Sequence, residues 1–124
     1  MKLRLKDNSI RIRLSMPEVD QLIQSGEISS QTMFPSLRAL KTLIRVRELD
    51  QAEISIINNV IEAGLPKSQL AGWHENDQVG YSWQISLDNG EQLVFTIEKD
   101  FKCLTDRPGE DETSLFPNPS ESHG

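Results

Sequence analysis

Basic residues fall at alternating positions in three stretches of the chain: Lys2, Arg4 and Lys6; Arg11 and Arg13; and Lys41, Arg45 and Arg47. Alternation of this kind puts side chains on one face of a strand, so these cations can share a sheet face or line one concavity. Arginine offers a planar fork of donors that grips a phosphate or a carboxylate through two bonds at once. The candidate anion-binding residues are therefore Arg4, Arg11, Arg13, Arg45 and Arg47. Three uses compete: a solvated outer face, a dock for the chain's own acidic tail, and a site for an anionic ligand. Nucleic acid is disfavoured, because no aromatics interleave with the cations and the sequence pI is about 4.9.

The opposite charge collects at the far end. Asp100, Asp106, Glu110 and Asp111, with Glu112 beside them, are oxygen donors of the kind that hard cations such as Mg²⁺ or Ca²⁺ take. Their spacing matches no EF-hand, so a solvated acidic tail is the plainer reading. Within the same stretch Phe101, Cys103, Leu115 and Phe116 are candidates for docking the tail on the body or on a partner. Cys103 has Lys99, Lys102 and Arg107 around it in sequence, which favours a thiolate; the plainer alternative is a small residue at a strand end. One cysteine and two histidines, His74 and His123, do not make an ordinary zinc site. No glycine-rich phosphate loop and no Gly-x-Ser-x-Gly elbow occurs, and no cofactor is expected.

The 124 residues suit a single α+β domain over 1–100, an acidic, proline-containing tail over 101–119, and a disordered end over 120–124. The lone cysteine rules out an internal disulfide. No secretory signal and no membrane-length apolar run is present, so a cytoplasmic location without a membrane partner is expected. Charge is polarised. Residues 1–47 carry nine basic and four acidic side chains, and residues 48–124 carry four and fifteen.

Several elements must position these groups. Residues 2–6 and 10–14 alternate as strands around an Asp7-Asn8 turn, a register that pairs Leu5 with Ile10 and Leu3 with Ile12. It also sets Arg4 against Arg11 and Lys2 against Arg13, and like charges across a ladder are destabilising unless screened or covered by an anion. Ser15 and Glu18 form a capping box for a helix that Gly26 ends. Strands follow over 27–34 and 37–49, the latter with a helix as the alternative because Leu37, Leu40, Leu43 and Ile44 also fit helical spacing, then a hairpin of 52–57 and 60–63 around Asn58-Asn59. Pro66 opens a second short helix with Leu70 and Trp73 buried. Strand, proline, helix and strand thus recur around Pro17 and Pro66, a near-repeat of two ββαβ-like halves. The last pair of strands, with Tyr81, Trp83 and Ile85 opposite Ile97, Phe95 and Leu93, closes through a three-residue loop, Asp88-Asn89-Gly90. The expected core is Leu3, Leu5, Ile10, Ile12, Val19, Leu22, Ile44, Ile54, Ile56, Leu70, Trp73, Tyr81, Trp83, Phe95 and Ile97.

Met1–Ser15, Asp77-Gln-Val-Gly80, Glu98–Leu104, Arg107–Asp111 and Phe116–Pro119 resemble a family of short bacterial proteins of unknown function. The resemblance implies a soluble, stand-alone domain and supplies no activity or catalytic residues. The pattern as a whole predicts an α+β fold. Its sheet should be mainly antiparallel, strongly curved or barrel-like, with about six to eight strands and two short helices. The leading expectation for function is a non-enzymatic binding or interaction module whose acidic tail docks on a basic sheet face. Its partner would be an unidentified protein or a small anion, and exposed sheet edges allow a homodimer. The alternative is an anion- or phosphate-handling enzyme with a carboxylate-bound divalent cation.

Overall fold

The computed structural model describes residues 1–101 and Phe116. Within them the order is β1 (Lys2–Lys6), β2 (Ser9–Leu14), α1 (Met16–Ser25), β3 (Glu27–Phe34), β4 (Arg38–Arg47), β5 (Glu53–Ile57), β6 (Val60–Pro66), α2 (Lys67–Leu70), β7 (Gly80–Ser86) and β8 (Gln92–Lys99). A single 3₁₀ turn, Pro35–Leu37, joins β3 to β4. The strands form two four-stranded sheets, ordered β1-β2-β8-β7 and β3-β4-β6-β5. We call them sheets A and B.

This is α+β, but neither a barrel nor mainly one antiparallel sheet. Each sheet is two antiparallel hairpins joined at its centre by a parallel pair, β2 with β8 and β4 with β6. The sheets are separate because the chain runs ββαββ twice. Each sheet takes the first hairpin of one half and the second hairpin of the other.

The near-repeat read around Pro17 and Pro66 is therefore real, and longer by one strand per half. Equivalent positions follow from the registers. Turns Asp7-Asn8 and Asn58-Asn59 match, so Ser9 corresponds to Val60; the parallel pairs then match Val94 with Lys41. Backbone bonds agree. Val94 N–H donates to Asn8 O at 2.9 Å and Lys41 N–H to Asn59 O at 3.0 Å, while Lys99 N–H to Val79 O and Val46 N–H to Gly26 O are both 2.9 Å.

The core follows the same correspondence. Ile10, Ile12 and Leu14 on β2 match Ile61, Ala63 and Leu65 on β6, and Val19 and Leu22 on α1 match Leu70 and Trp73 beyond the start of α2; all are buried. Burial of such side chains contributes roughly 1.5–3 kcal/mol each. Leu3, Ile54, Tyr81 and Trp83 pack against this core only partly buried. Leu5 and Ile56, expected inside, are 64% and 66% exposed. They hold equivalent places on edge strands next to the turns, where alternation assigns a face but no second layer reaches to cover it.

The local readings that depend on turn and cap chemistry hold. Glu18 Oε1 accepts the Ser15 N–H at 2.9 Å, and its other oxygen takes the Met1 amine at 2.6 Å. Gly26 ends α1 with φ +89°, and Gly90 takes φ +86° in the Asp88-Asn89-Gly90 loop. At Gly80 the requirement is closeness: a Cβ there would lie 2.4 Å from Ile97 O.

Candidate functional site

Sheet A positions the first basic set. On β1, β2 and β8 the odd-even alternation turns Leu3, Ile12 and Ile97 toward the core and leaves Arg4, Arg11 and Thr96 on the outer face. The registers then fix neighbours across all four strands. Arg4 lies opposite Arg11, Arg11 beside Thr96, and Thr96 opposite Ser82, giving one transverse row, Arg4–Arg11–Thr96–Ser82. Ser82 Oγ and Thr96 Oγ1 are 3.0 Å apart. The row on one side is Lys2–Arg13–Glu98–Gly80; on the other it is Lys6–Ser9–Val94–Gln84.

Electrostatically the face is lopsided. Among the described residues it carries five cations, Lys2, Arg4, Lys6, Arg11 and Arg13, against the carboxylate of Glu98 and that of Asp100, which Lys2 meets. Arg13 Nε donates to Glu98 Oε1 at 2.8 Å, and Arg11 Nε stands 3.8 Å from the same oxygen. Lys2 Nζ is 2.9 Å from Asp100. Among the described residues neither Arg4 nor Lys6 meets a carboxylate. Together with Ser9, Arg11, Val94 and Thr96 they line a depression of about 230 Å³. Neighbouring strands stand ~4.8 Å apart, so Arg4 and Arg11 can grip one tetrahedral or planar anion from two sides, with the hydroxyls of the same row beside it.

The second basic set is elsewhere. Arg45 and Arg47 lie on β4, in sheet B, so the five arginines do not share a face. Arg45 is already engaged, with Nε 3.1 Å from Glu27 and Nη1 3.0 Å from Glu62. Arg47 lines a different depression with Glu53, Ser55 and Glu62. In sheet B the row equivalent to Arg4–Arg11–Thr96–Ser82 reads Ser55–Glu62–Leu43–Ser29. It holds no cation.

A second cluster gathers where β8 ends. Phe116 N–H donates to Asp100 O at 2.8 Å, and the Phe116 and Phe101 rings pack with centroids 5.8 Å apart. Phe116 also packs against the core. Lys99 is buried here; its Nζ donates to Asn76 O at 2.6 Å and sits 5.8 Å from the Trp73 ring and 5.1 Å from the Phe116 ring. Burial pulls the Lys99 pKa down, and Asp77 works against that. Tyr81, stacked edge-on against Trp73, is pushed up by burial, with a hydrogen bond from Asn76 opposing.

The structure thus brings Phe101 and Phe116 together, and it brings Arg4 and Arg11 together with Arg13 next to them. Cys103, Leu115, Asp106, Glu110 and Asp111 lie outside the described residues. Asp100, the remaining metal candidate, is buried and faces Lys2. Among the described residues no group of three or more potential metal ligands occurs. Sequence reasoning missed Thr96, Ser82 and Glu98, because their place beside Arg11 and Arg13 depends on a parallel pairing between strands about 85 residues apart.

The chain belongs to a family of unknown function (DUF7009), whose model matches residues 1–120. Neither a curated protein nor a solved structure matches it.

Proposed function

We propose that the chain is a non-enzymatic binding module, and that the Arg4–Arg11–Thr96–Ser82 row of sheet A takes the carboxylates of an acidic peptide segment. The observation that carries this reading is the direct opposition of Arg4 and Arg11 across β1 and β2, with a carboxylate, among the described residues, on only one side of the pair. Two cations facing each other weaken a ladder, and a bound anion turns that cost into affinity.

The chain supplies such a segment itself. In sequence, residues 102–115 join Phe101 to Phe116 and carry Asp106, Glu110, Asp111 and Glu112, and Asp100, next to Phe101, meets Lys2 at one end of the basic face. An acidic stretch of a partner protein has the same chemistry and competes for the same row. The enzyme reading has no observation in its favour, since the carboxylate of Asp100 is occupied by Lys2.

Titration of the full chain with a decaglutamate peptide tests this. Binding is expected to saturate and to weaken as salt rises. Neutralising the tail (Asp106→Asn, Glu110→Gln, Asp111→Asn, Glu112→Gln) should tighten it about tenfold by removing the internal competitor, worth ~1.4 kcal/mol. Replacing Arg4 and Arg11 with Gln should abolish it. Unchanged affinity in the Arg4→Gln/Arg11→Gln variant would overturn the proposal.

A further inference from the structure

The β3–β4 hairpin extends past its neighbours. On β4 the last residue paired with β6 is Lys41, whereas pairing with β3 continues to Arg38 opposite Phe34. Three further residues at ~3.3 Å each carry the hairpin about 10 Å beyond the β5–β6 turn. Its end carries exposed apolar side chains on both faces and at the tip, with Ser36 in the turn and Arg38 opposite Phe34. Met33 and Phe34 point to opposite faces of the sheet and are 55% and 51% exposed, and Leu37, at the tip itself, is 90% exposed. Ile57, on the turn set back behind the tip, is exposed as well.

The other half of the chain provides an internal control. The β7–β8 hairpin overhangs β2 in the same way, and its tip is Asp88-Asn89-Gly90. The equivalent of Leu37 is Gly90, that of Met33 is Ser86, and that of Arg38 is Glu91. Apart from Leu87, the equivalent of Phe34, the fold builds this overhang from polar residues, so the exposed Met33 and Leu37 serve something other than folding. The tip is also held against backbone preference. Ser36 and Leu37 both sit at positive φ, +66° and +58°, and in the other half glycine, Gly90, takes the place that matches Leu37.

We propose that the β3–β4 tip seats in the interface of an anionic lipid bilayer. A single-sided apolar patch suits a groove on a protein; a wedge that is apolar on both faces and at its end suits immersion in an apolar medium. Its length matches the roughly 5–10 Å depth of the interfacial zone. Charge selects the headgroups. Residues 28–47 hold Arg38, Lys41, Arg45 and Arg47 and no acidic residue, in a chain of net charge −6; Arg45 is engaged by Glu27 and Glu62, so Arg38 and Lys41 are the cations nearest the tip. Arg38, level with Phe34, and Lys41, further back, stand on opposite faces of the sheet, where headgroups would lie. Seating a tip needs no spanning segment. That no helix among the described residues can cross a membrane is compatible with it.

The test is flotation of the full chain with vesicles of phosphatidylcholine alone and of phosphatidylcholine with about one-third phosphatidylserine. Sedimentation velocity without lipid runs alongside. Binding to the serine-containing vesicles is expected, weakening as salt rises, with little binding to phosphatidylcholine alone. Leu37→Gly combined with Phe34→Ser should reduce it at least tenfold. Leu37→Gly relieves the backbone, so a retained thermal midpoint separates loss of binding from loss of fold. A Leu37→Trp variant should show a blue-shifted emission on the anionic vesicles. The proposal fails if anionic vesicles are not bound, or if binding ignores the tip substitutions. It also fails if velocity sedimentation shows a dimer that those substitutions dissolve, for the tip then joins two copies of the chain.

Discussion

Arg45 in sheet B occupies the place that Glu98 holds in sheet A, and each is the hub of its outer face. Glu98 meets Arg11 and Arg13, while Arg45 meets Glu27 and Glu62. Arg11 and Glu62 are themselves equivalent, so one ion pair recurs in the two halves with its charges exchanged. The surroundings are not exchanged. Around Arg45 two carboxylates balance it, with Arg47 nearby; around Glu98 three further cations, Lys2, Arg4 and Lys6, stand on the face.

Substituting the two hubs should therefore have unequal effects. Glu98→Gln leaves Arg11 and Arg13 beside Arg4 and Lys2 without their common carboxylate, and should lower stability by about 1–2 kcal/mol. Arg45→Gln opens an exposed pair and should cost below about 1 kcal/mol. Urea unfolding at low salt and at 1 M salt checks both. The Glu98→Gln deficit should shrink at high salt, because screening relieves the repulsion that the substitution exposes.

Gly80 tests the close approach of β7 to β8. A methyl group at this position would meet the backbone of Ile97 and Glu98, with Ile97 O at 2.4 Å and Glu98 Cα at 2.8 Å. Backbone cannot move aside as a flexible side chain can. Gly80→Ala should cost about 2–3 kcal/mol, read as a lowered thermal midpoint, whereas Gly64→Ala meets only the end of Leu49 at 3.0 Å and should cost less.

What could be read in the sequence was what alternation and turn chemistry govern locally. The Leu5–Ile10 and Trp83–Phe95 registers, the Gly90 loop and the Gly26 stop all rest on residues no more than twelve positions apart. The parallel pairs did not. Alternation says which way Arg11 points but not that Thr96 lies beside it, and no local signal spans the interval between Ser9 and Val94. That gap is why a barrel-like sheet was expected where two mixed sheets form. For the same reason Arg45 and Arg47 were grouped with Arg4 and Arg11. The β3–β4 tip was hidden differently: neither Ser36 nor Leu37 is a residue type that announces positive φ.

Alkaline titration should show two opposed contributions. The folded chain lowers the Lys99 pKa, so in the interval below the ordinary lysine value the unfolded chain holds more protons and stability rises with pH. It raises the Tyr81 pKa, so above the ordinary tyrosine value the folded chain holds more protons and stability falls. Urea midpoints measured between about pH 8 and 11, spanning the ordinary values of both groups, should lose the rise in Lys99→Met and the fall in Tyr81→Phe. Identical profiles in wild type and both variants would contradict these assignments.

Leu37 and Gly90 allow a reciprocal experiment on backbone strain alone. They hold equivalent tip positions with φ of +58° and +86°. Leu37 is almost wholly exposed, so its removal forfeits no core packing, and nothing lies within 4 Å of a Cβ at Gly90, so a side chain there meets no obstacle. Any change in stability must then come from the left-handed backbone. That conformation costs a residue with a Cβ about 1 kcal/mol relative to glycine, less the greater freedom glycine has when unfolded. Leu37→Gly should stabilise the chain by roughly 0.5–1 kcal/mol, and Gly90→Leu should destabilise it by a similar or larger amount. Midpoints from urea unfolding, with unchanged slopes, give both values. If Leu37→Gly instead destabilises, the Leu37 side chain makes contacts that support the fold. The tip would then be part of the folded body rather than a surface held out for a partner.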